Sequence, residues 1–428
     1  MTSDTERNID TPSLEIDSMR VTDSQFEIRF ITKLPDEFRV PEDKIIVPGS
    51  VDRLELSDLV NDMGTTDKRV PYDFLINGEF LRGSLSEHCL DRDILSEKTV
   101  EVEYVIAMFE PETTELDTPG QDWITGVAEN ENYWFTCSMG GVIAQYDRHT
   151  GDLLNTVIQS SLPLTGIFCT ARGVLVFTSK DGHIRFCDAK TLEVFEKSVS
   201  ISPIQTLSVC PFDHSLALTG TTNGELHLWN VPMESQPPIT HKKKRASAPE
   251  TAARAELTST SVAGISGIQW ISLSQVIVGS LDGTVQIIDP ISNTSLPTVN
   301  TNRSISAMAL LGPKSVVTGH PDGRIIFWNI RNDDVYATLE ATNSCRSHTR
   351  MISDLRARPY SEFLVASSSI DGTIKLFDSR AASYAVQSIP PSEDERALSL
   401  CWIDPDTLLS GSSDGVLRSH SFKQTNRC

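Results

Sequence analysis

The chain has 428 residues, of which 39% are hydrophobic and 22% charged, and its formal net charge at pH 7 is −21. Its longest apolar runs have the length of strands, which excludes membrane-spanning helices and predicts a protein with no membrane partner. Residues 1–110 alone contain 25 acidic and 12 basic side chains. Because an acidic surface repels phosphate backbones, we expect any role near nucleic acid to depend on another protein, although acidity also serves solubility alone in many proteins.

The eight cysteines are scattered along the chain and form no CxxC pair. This usage favours reduced thiols in a cytosolic or nuclear protein over a disulfide framework or a zinc site. Cys137, Cys187 and Cys401 lie within apolar strands, where we expect them to be small core residues.

In chain order, residues 1–23 are polar and unpatterned, which predicts a disordered N-terminus. A compact unit is predicted over residues 24–107. It begins with a strand in which Phe26, Ile28 and Phe30 alternate toward one buried face, and a second strand over KIIVPGSV follows.

A helix is predicted to begin after Asp52. With Glu55 three residues later, Asp52 has the spacing of a capping box, and Val51 and Leu56 have that of a hydrophobic staple. Gly64 is expected to end the helix. The apolar stripe has the spacing i, i+3, i+4 and i+7 and comprises Leu56, Leu59, Val60 and Met63.

A hairpin with a two-residue turn at Asn77 and Gly78 is predicted next, because Asn-Gly between two apolar runs is the strongest short-range hairpin signal. The last strand, TVEVEYV, buries one face of alternating residues, namely Val100, Val102 and Tyr104. The order strand, strand, helix, strand, strand is typical of a ubiquitin-like α/β roll. The stretch from 74 to 105 resembles the second half of ubiquitin.

After a short acidic linker predicted at residues 108–120, a repeat fills the rest of the chain. Each of seven turn glycines lies five residues before the end of a short strand, at intervals of 41, 42, 59, 40, 49 and 43 residues. A period near forty predicts a radially repeated β-fold, so we expect a mainly β protein with a seven-bladed propeller over 121–424. The glycines are Gly141, Gly182, Gly224, Gly283, Gly323, Gly372 and Gly415.

The longest interval contains a stretch rich in Pro, Ser, Thr and Ala, which predicts a disordered insertion between blades at about 232–261. The insertion contains a basic run of Lys242, Lys243, Lys244 and Arg245. Such a run could be a nuclear-import signal, a weak RNA contact or a solvated loop, and we favour import.

The sequence has no GxxxxGK[ST], GxGxxG, HExxH or GxSxG motif, and no pair of histidines has helical metal-site spacing. We therefore expect a binding protein rather than an enzyme, with no cofactor and no metal site of its own.

Glu79 is the side chain that we single out, because it follows the Asn77-Gly78 tip directly and its carboxylate is expected to be exposed. Most glutamates in turns are simply solvated. The functional alternative is a carboxylate that completes the coordination sphere of a Mg²⁺ ion bound by a partner. Nothing in this sequence supplies the rest of such a site.

The segments IVPGSVDRLELSDLVND, PYDFLINGEFLRGSL and LSEKTVEVEYV, followed by the seven repeats, closely resemble the WD repeat-containing protein twelve family, whose yeast member is Ytm one. The resemblance covers residues 24–424. It implies a notchless-like, ubiquitin-like domain in front of a WD-repeat propeller, and a ribosome biogenesis factor of the nucleolus and nucleoplasm.

Several partners are implied by this resemblance. Members of the family join the block-of-proliferation protein and pescadillo in the PeBoW complex, which matures the large (60S) subunit and its 28S and 5.8S rRNA. The propeller docks on the block-of-proliferation protein. The ubiquitin-like domain docks on midasin, an AAA ATPase that releases the complex from the pre-ribosome. The glutamate of the NGE turn, here Glu79, contacts a metal ion held by midasin.

The repeats depart from the family pattern. The tryptophan of the WD dipeptide is retained only as Trp229 and Trp328, and Ser347-His348 is the nearest equivalent of an opening Gly-His pair. We therefore expect the buried Asp–His–Ser/Thr–Trp network to be incomplete in most blades, with apolar packing in its place. The residues at the tryptophan position of the other blades are Tyr146, Cys187, Ile288, Phe377 and His420.

Two alternatives to an assembly factor stay open from the sequence. The first is a WD-repeat scaffold or substrate receptor in a ubiquitin pathway, although the ubiquitin-like unit has no Gly-Gly end to process. The second is a propeller that binds RNA directly, which predicts binding with a steep salt dependence and fits poorly with the acidic charge.

Overall fold

A computed structural model describes residues 25–422 except 35, 65–68, 93, 95–98, 109, 117, 119–121, 200–201, 233–249, 252–254, 258–262, 296–297, 334–335, 381–384 and 392–394. The chain divides into two compact units, Met1–Met108 and Phe109–Cys428. The predicted disordered N-terminus at 1–23 and the basic run from Lys242 to Arg245 lie outside the described residues. No helix in the described part of the chain is long and apolar enough to cross a membrane.

The first unit is a five-stranded mixed sheet with the strand order β2-β1-β5-β3-β4, in which β1 and β5 run parallel. This is the predicted ubiquitin-like roll. Its elements are β1 (Gln25–Ile31), a 3-10 turn (Asp36–Phe38), β2 (Lys44–Pro48), α1 (Arg53–Met63), β3 (Tyr72–Ile76), β4 (Glu79–Phe80), α2 (Leu85–Asp91) and β5 (Val100–Ile106).

The predicted start of helix α1 is confirmed. The Asp52 side chain accepts hydrogen bonds from the backbone N–H groups of Leu54 and Glu55, and the Glu55 side chain accepts one from the Asp52 backbone N–H. These bonds satisfy N–H groups that have no partner inside a helix. Leu56, one residue beyond the box, and Val51 before it are both buried in the apolar core of the first unit.

Helix α2 was not predicted, because the expected order of elements contained a single helix. Ser84 is its N-cap and forms a capping box with Glu87, and Leu85 and Cys89 are buried on its inner face. The Ser-x-x-Glu pattern was present in the sequence as a helix-start signal. At seven residues, however, the helix is too short for a clear apolar stripe.

The described residues of the second unit form seven sheets, the predicted number of blades. Their innermost strands contact one another in sequence, and the last of them contacts the first, so the ring is closed. The first four sheets are built from β7 (Ile124–Glu129), β8 (Tyr133–Ser138), β9 (Val142–Asp147) and β10 (Leu153–Ile158); β11 (Leu164–Cys169), β12 (Val174–Ser179), β13 (His183–Asp188) and β14 (Val194–Val199); β15 (Ile204–Val209), β16 (Leu216–Thr221) and β17 (Leu226–Asn230); and β20 (Ile265–Ser272), β21 (Gln275–Ser280), β22 (Thr284–Asp289), β23 (Thr294–Ser295) and β24 (Val299–Asn300).

The other three sheets complete the ring and confirm a mainly β fold with a propeller. They are built from β25 (Ala307–Leu310), β26 (Ser315–Gly319), β27 (Arg324–Asp333) and β28 (Tyr336–Arg346); β29 (Ile352–Ala357), β30 (Leu364–Ser369), β31 (Ile374–Asp378) and β32 (Gln387–Ile389); and β33 (Ala397–Asp404), β34 (Thr407–Ser412) and β35 (Leu417–Ser421).

All seven repeat glycines have positive φ, between 79° and 86°, as their turn position predicts. Two of them are also confined by their neighbours. A Cβ atom at Gly141 would lie 1.9 Å from the carbonyl oxygen of Ser160, and one at Gly323 would lie 2.2 Å from that of His348. Glycine is therefore required there for space as well as for conformation.

The prediction of a linker at residues 108–120 is wrong for residues 112–116. Residues Glu112–Leu116 form strand β6, which pairs antiparallel with β35 as the outer strand of the last sheet. The start of the second unit thus completes the sheet formed by its end. The strand looked like a linker in the sequence because its side chains are mostly exposed, so it has no apolar alternation.

The prediction of a disordered insertion at 232–261 is also wrong in part, because two short strands lie within it. Within it, β19 (Ala255–Leu257) pairs with β17 as the outer strand of the third sheet, and β18 (Glu250–Thr251) pairs with β14 of the second sheet. Leu257 is buried among apolar residues of the third and fourth sheets. The insertion therefore supplies part of the ring.

Candidate functional site

The Asn77-Gly78 turn joins β3, an inner strand of the first sheet, to the two-residue edge strand β4. Both turn residues have positive φ, 51° for Asn77 and 83° for Gly78, as a type I′ turn requires. Ile76 pairs with Glu79 across the turn, and Leu75 pairs with Phe80. A Cβ atom at Gly78 would meet nothing within 4 Å, so the tip of the turn stands clear of the described residues.

Glu79 lies at the surface, but its carboxylate is already in an ion pair. Its side chain is 39% exposed, and its Oε2 atom accepts a hydrogen bond from Arg92 Nε at 2.6 Å. Arg92 Nη2 lies 2.5 Å from the same oxygen. The second oxygen, Oε1, has no hydrogen-bond or ion-pair partner among the described residues. Arg92 therefore holds one carboxylate oxygen, whereas the other has no such contact in the described part of the chain.

Helix α2 brings Arg92 to this place. Arg92 is the C-cap residue, and its backbone N–H donates to the carbonyl of Leu90. The helix is held at its start by the Ser84 cap and packed into the core through Leu85 and Cys89. The base of the Arg92 side chain is thus attached to a packed element rather than to a loop.

His88 on the same helix is close enough to Glu79 and Arg92 for their charges to act on its pKa. Burial lowers that pKa, and the negative charge of Glu79 is the largest effect in the opposite direction. The Nε2 atom of His88 is buried and has no hydrogen-bond partner in the described part of the chain. We expect His88 to be neutral at pH 7 and to contribute no charge to the site.

This arrangement can present a single carboxylate oxygen, and by itself it cannot hold a metal ion. Among the described residues, no group of three or more His, Cys, Asp or Glu side chains could bind one. A magnesium ion requires six oxygen ligands, several of which are usually water or come from another molecule. Glu79 therefore fits the role of one added ligand to an ion that is held elsewhere.

His348, Ser367 and Asp371 form an Asp–His–Ser arrangement at the sixth sheet. His348 Nε2 lies 2.7 Å from Ser367 Oγ, and His348 Nδ1 lies 3.3 Å from Asp371 Oδ2. The residues resemble a hydrolase triad in type, but His348 and Ser367 are fully buried and no substrate can reach them. Burial lowers the pKa of His348 to about 4. The arrangement stabilises the blade.

The sheets that retain tryptophan show the corresponding contact, because the indole Nε1 of Trp328 donates to Thr318 Oγ1 at 2.8 Å. Thr318 also lies 2.9 Å from His320 Nε2. The hydrogen-bonded network is incomplete in the fifth and sixth sheets, because His320 Nδ1 lies 2.8 Å from the carbonyl oxygen of Ser304 rather than beside a carboxylate, and the sixth sheet has Phe377 in place of tryptophan. The buried cysteines fit the core role, since Cys137 and Cys187 have no exposed surface.

Among the predicted site residues, Asn77, Gly78 and Glu79 lie together, whereas Lys242, Lys243, Lys244 and Arg245 lie outside the described residues. Sequence reasoning missed Arg92. Its only signal was indirect: the Ser84 capping box predicts a short helix, and Arg92 follows the end of that helix.

Comparison with known protein families supports both units. A sequence model of the NLE (NUC135) domain matches residues 26–89, which include the Asn77-Gly78 turn and Glu79. A model of the WD domain, G-beta repeat, matches residues 339–378, which lie in the fifth and sixth sheets.

Full-length relatives match nearly the whole chain. A protein of Culex quinquefasciatus named ribosome biogenesis protein WDR12 homolog is 27% identical, over 94% of this chain and 96% of its own length. A protein of Chlamydomonas reinhardtii with the same name is 26% identical, over 93% of this chain and 98% of its own length. Ribosome biogenesis protein YTM1 of Saccharomyces cerevisiae (strain YJM789) is 23% identical, over 91% and 96%.

Proposed function

Because this chain is a member of the WDR12 and YTM1 family of ribosome biogenesis proteins, we propose that it is an assembly factor of the large (60S) ribosomal subunit. A part in ribosome biogenesis, as a non-enzymatic scaffold, follows from the family itself. The proposal adds the subunit, with processing of 28S and 5.8S rRNA, and the places of action, the nucleolus and nucleoplasm.

In this proposal the propeller binds the block-of-proliferation protein and pescadillo and so joins the PeBoW complex on the pre-60S particle. A closed ring of seven sheets supports such a role, because its loops and outer strands form wide rigid surfaces. The net charge of −21 favours contact with proteins over direct contact with rRNA.

The ubiquitin-like unit binds the ATPase midasin through Glu79, which donates one carboxylate oxygen to a metal ion held by midasin. One observation carries this part of the proposal: Glu79 follows a type I′ turn on an edge strand, its side chain is 39% exposed, and its Oε1 atom has no partner among the described residues. The hydrogen bond to Arg92 favours binding, because a carboxylate that is already held loses less conformational freedom when the contact forms.

A purification of tagged full-length protein tests the proposal. Glu79→Gln has nearly the same shape as the wild type but cannot supply a charged oxygen, so it is expected to lose midasin and to keep the block-of-proliferation protein and pescadillo. Glu42→Gln, at an exposed position in the same unit, is the matched control and is expected to keep all three. Midasin recovered with Glu79→Gln at the wild-type level would contradict the mechanism.

The same purification tests the ubiquitin-pathway alternative, which predicts ligase subunits or proteasome in place of ribosome assembly factors. The chain runs from the end of β5 at Ile106 to the start of β6 at Glu112, and β6 is part of the last sheet. The ubiquitin-like unit is therefore continuous with the ring and is not built as a conjugated modifier.

A further inference from the structure

Two donors of Arg92 converge on one oxygen of Glu79, and this is unusual for an arginine–carboxylate pair. The common fork geometry places one donor on each carboxylate oxygen. Here Nε donates to Oε2 at 2.6 Å and Nη2 lies 2.5 Å from the same atom. Oε1 has no such partner among the described residues. The two oxygens of Glu79 are therefore in different situations, one held and one open.

We propose that Arg92 is a positioning residue, which holds Oε2 of Glu79 so that Oε1 is presented to the external metal ion. The inference rests on the proposed function and assigns to it a second residue. Metal-binding carboxylates are commonly hydrogen-bonded through groups that do not touch the metal, and these partners orient the ligand. Arg92 has this relation to Glu79.

The positions of the two residues support an orienting role. Glu79 lies on a strand of only two residues at the edge of the sheet, where its backbone restricts the carboxylate little. Arg92 lies at the end of a helix that is packed into the core through Leu85 and Cys89. The ion pair thus connects a side chain on the edge strand β4 to the end of helix α2, which is packed into the core.

The ion pair itself is too exposed to be important mainly for folding. The Glu79 and Arg92 side chains are 39% and 48% exposed, and ion pairs of that kind add little to stability. The same exposure lets water and salt screen the repulsion between the guanidinium and a metal ion beyond Oε1. The geometry therefore points to a contact that orients Glu79 and contributes little to the free energy of folding.

A competing role can be distinguished by the sign of the effect. If Arg92 occupied the place that the metal ion needs, its removal would strengthen binding of the partner. If Arg92 orients Glu79, its removal weakens binding, because the free carboxylate must then be ordered by the metal contact itself. Substitutions of residues that orient metal ligands typically weaken binding about 10- to 100-fold.

The test measures binding of full-length variants to the purified metal-binding domain of midasin, with Mg²⁺ present and with EDTA added. Arg92→Ala is expected to weaken Mg²⁺-dependent binding about tenfold. Arg92→Lys, which keeps a cationic donor, is expected to lie between Arg92→Ala and the wild type. Arg82→Ala is the matched control, because it removes an arginine from the same turn region, where the Arg82 guanidinium lies 5.0 Å from the centre of the Phe80 ring. This variant is expected to bind as the wild type does.

The outcomes separate this inference from the proposed function. Wild-type or tighter binding by Arg92→Ala, together with lost binding by Glu79→Gln, would overturn the positioning role and leave the proposed function intact. Wild-type binding by Glu79→Gln would overturn both. Thermal unfolding of each variant shows whether the unit is folded, and equal losses for Arg92→Ala and Arg92→Lys would also contradict an orienting role.

Discussion

His420 and Ser410 form across the last sheet the contact that Trp229 and Thr219 form across the third. His420 Nε2 lies 2.8 Å from Ser410 Oγ, and the Trp229 indole donates to Thr219 Oγ1 at 2.8 Å. In both sheets the partners are ten residues apart. Unlike an indole, the imidazole has a second nitrogen, and Nδ1 of His420 lies 2.8 Å from Thr113 Oγ1 of β6. Histidine therefore replaces tryptophan where an added strand must also be held.

The first prediction concerns the pH dependence of stability. Burial lowers the pKa of His420 from 6.5 to about 4. In the unfolded chain the imidazole takes up a proton below pH 6.5, whereas in the folded ring it stays neutral until about pH 4. The contribution of neutral His420 to the free energy of unfolding is therefore complete above pH 6.5 and is lost as the pH falls toward 4. The loss amounts to at most about 3 kcal/mol.

Urea unfolding at several pH values checks this prediction. His420→Gln removes the titrating group, so its free energy of unfolding is expected to fall less steeply than that of the wild type between pH 6.5 and 4. Other buried histidines act on both proteins equally. Parallel curves for the wild type and His420→Gln would refute the assignment.

The second prediction compares two turn glycines that have the same φ of 79°, Gly141 and Gly173. Alanine is strained at both, at a cost of about 1 kcal/mol. At Gly141 the new Cβ atom would also lie 1.9 Å from the Ser160 carbonyl oxygen, whereas at Gly173 it would meet nothing within 4 Å. We expect Gly141→Ala to lower the free energy of unfolding by about 2–4 kcal/mol in total, the added part being the cost of moving backbone.

Denaturant unfolding of both variants gives the difference directly. Because φ is the same at the two positions, the excess cost at Gly141 measures the close approach of the neighbouring loop. Equal losses for Gly141→Ala and Gly173→Ala would mean that this loop moves away freely.

The third prediction concerns the strand within the insertion. Leu257 is 7% exposed, whereas the adjacent Glu256 is exposed. If β19 completes the third sheet in solution, Leu257→Ala is expected to cost about 2 kcal/mol of stability, the lower end of the range for buried leucines. Glu256→Ala is expected to change stability by less than about 0.5 kcal/mol.

Unfolding free energies and hydrogen exchange at residues 255–257 check the third prediction. The amide hydrogens of β19 that bond to β17 are expected to be protected. A loss for Leu257→Ala no larger than that for Glu256→Ala, with rapid exchange in β19, would return this segment to the disordered insertion predicted from sequence.

The fourth prediction concerns thiol reactivity. Cys137 and Cys169 are buried, and burial raises the pKa of each thiol to about 12. Since the thiolate is the reacting species, both are expected to resist iodoacetamide at pH 8 in the folded protein and to react once urea is added. Mass spectrometry after digestion measures the modified fraction, and rapid modification of either thiol in the folded protein would contradict its placement.

The features that the sequence predicts well are those with a local physical cause. The Asp52 capping box needs only residues within one helical turn, and the Asn77-Gly78 turn needs only positive φ at two neighbouring positions. The seven repeat glycines have the same local requirement. These signals therefore sufficed for the roll, the repeat and the position of Glu79.

The features that were missed depend on partners far away in the chain. Strand β6 pairs with β35 some three hundred residues later, and its exposed side chains show no apolar alternation. The outer strand β19 is only three residues long. Arg92 lies thirteen residues beyond Glu79, and only the fold of the helix between them brings the two together. No local pattern encodes such pairings.

The pairing of β6 with β35 has a mechanical consequence. Five residues, 107–111, separate β5 of the first unit from β6, and β6 is the first strand of the ring in chain order. Along the backbone, Glu112 is therefore the first residue of the ring that a pull on residue 111 reaches. Because β6 is an outer strand that is held in the sheet by β35, its detachment would leave the edge of β35 unpaired. Loss of β6 would thus open the outer edge of the last blade while the inner strands of the ring stay paired.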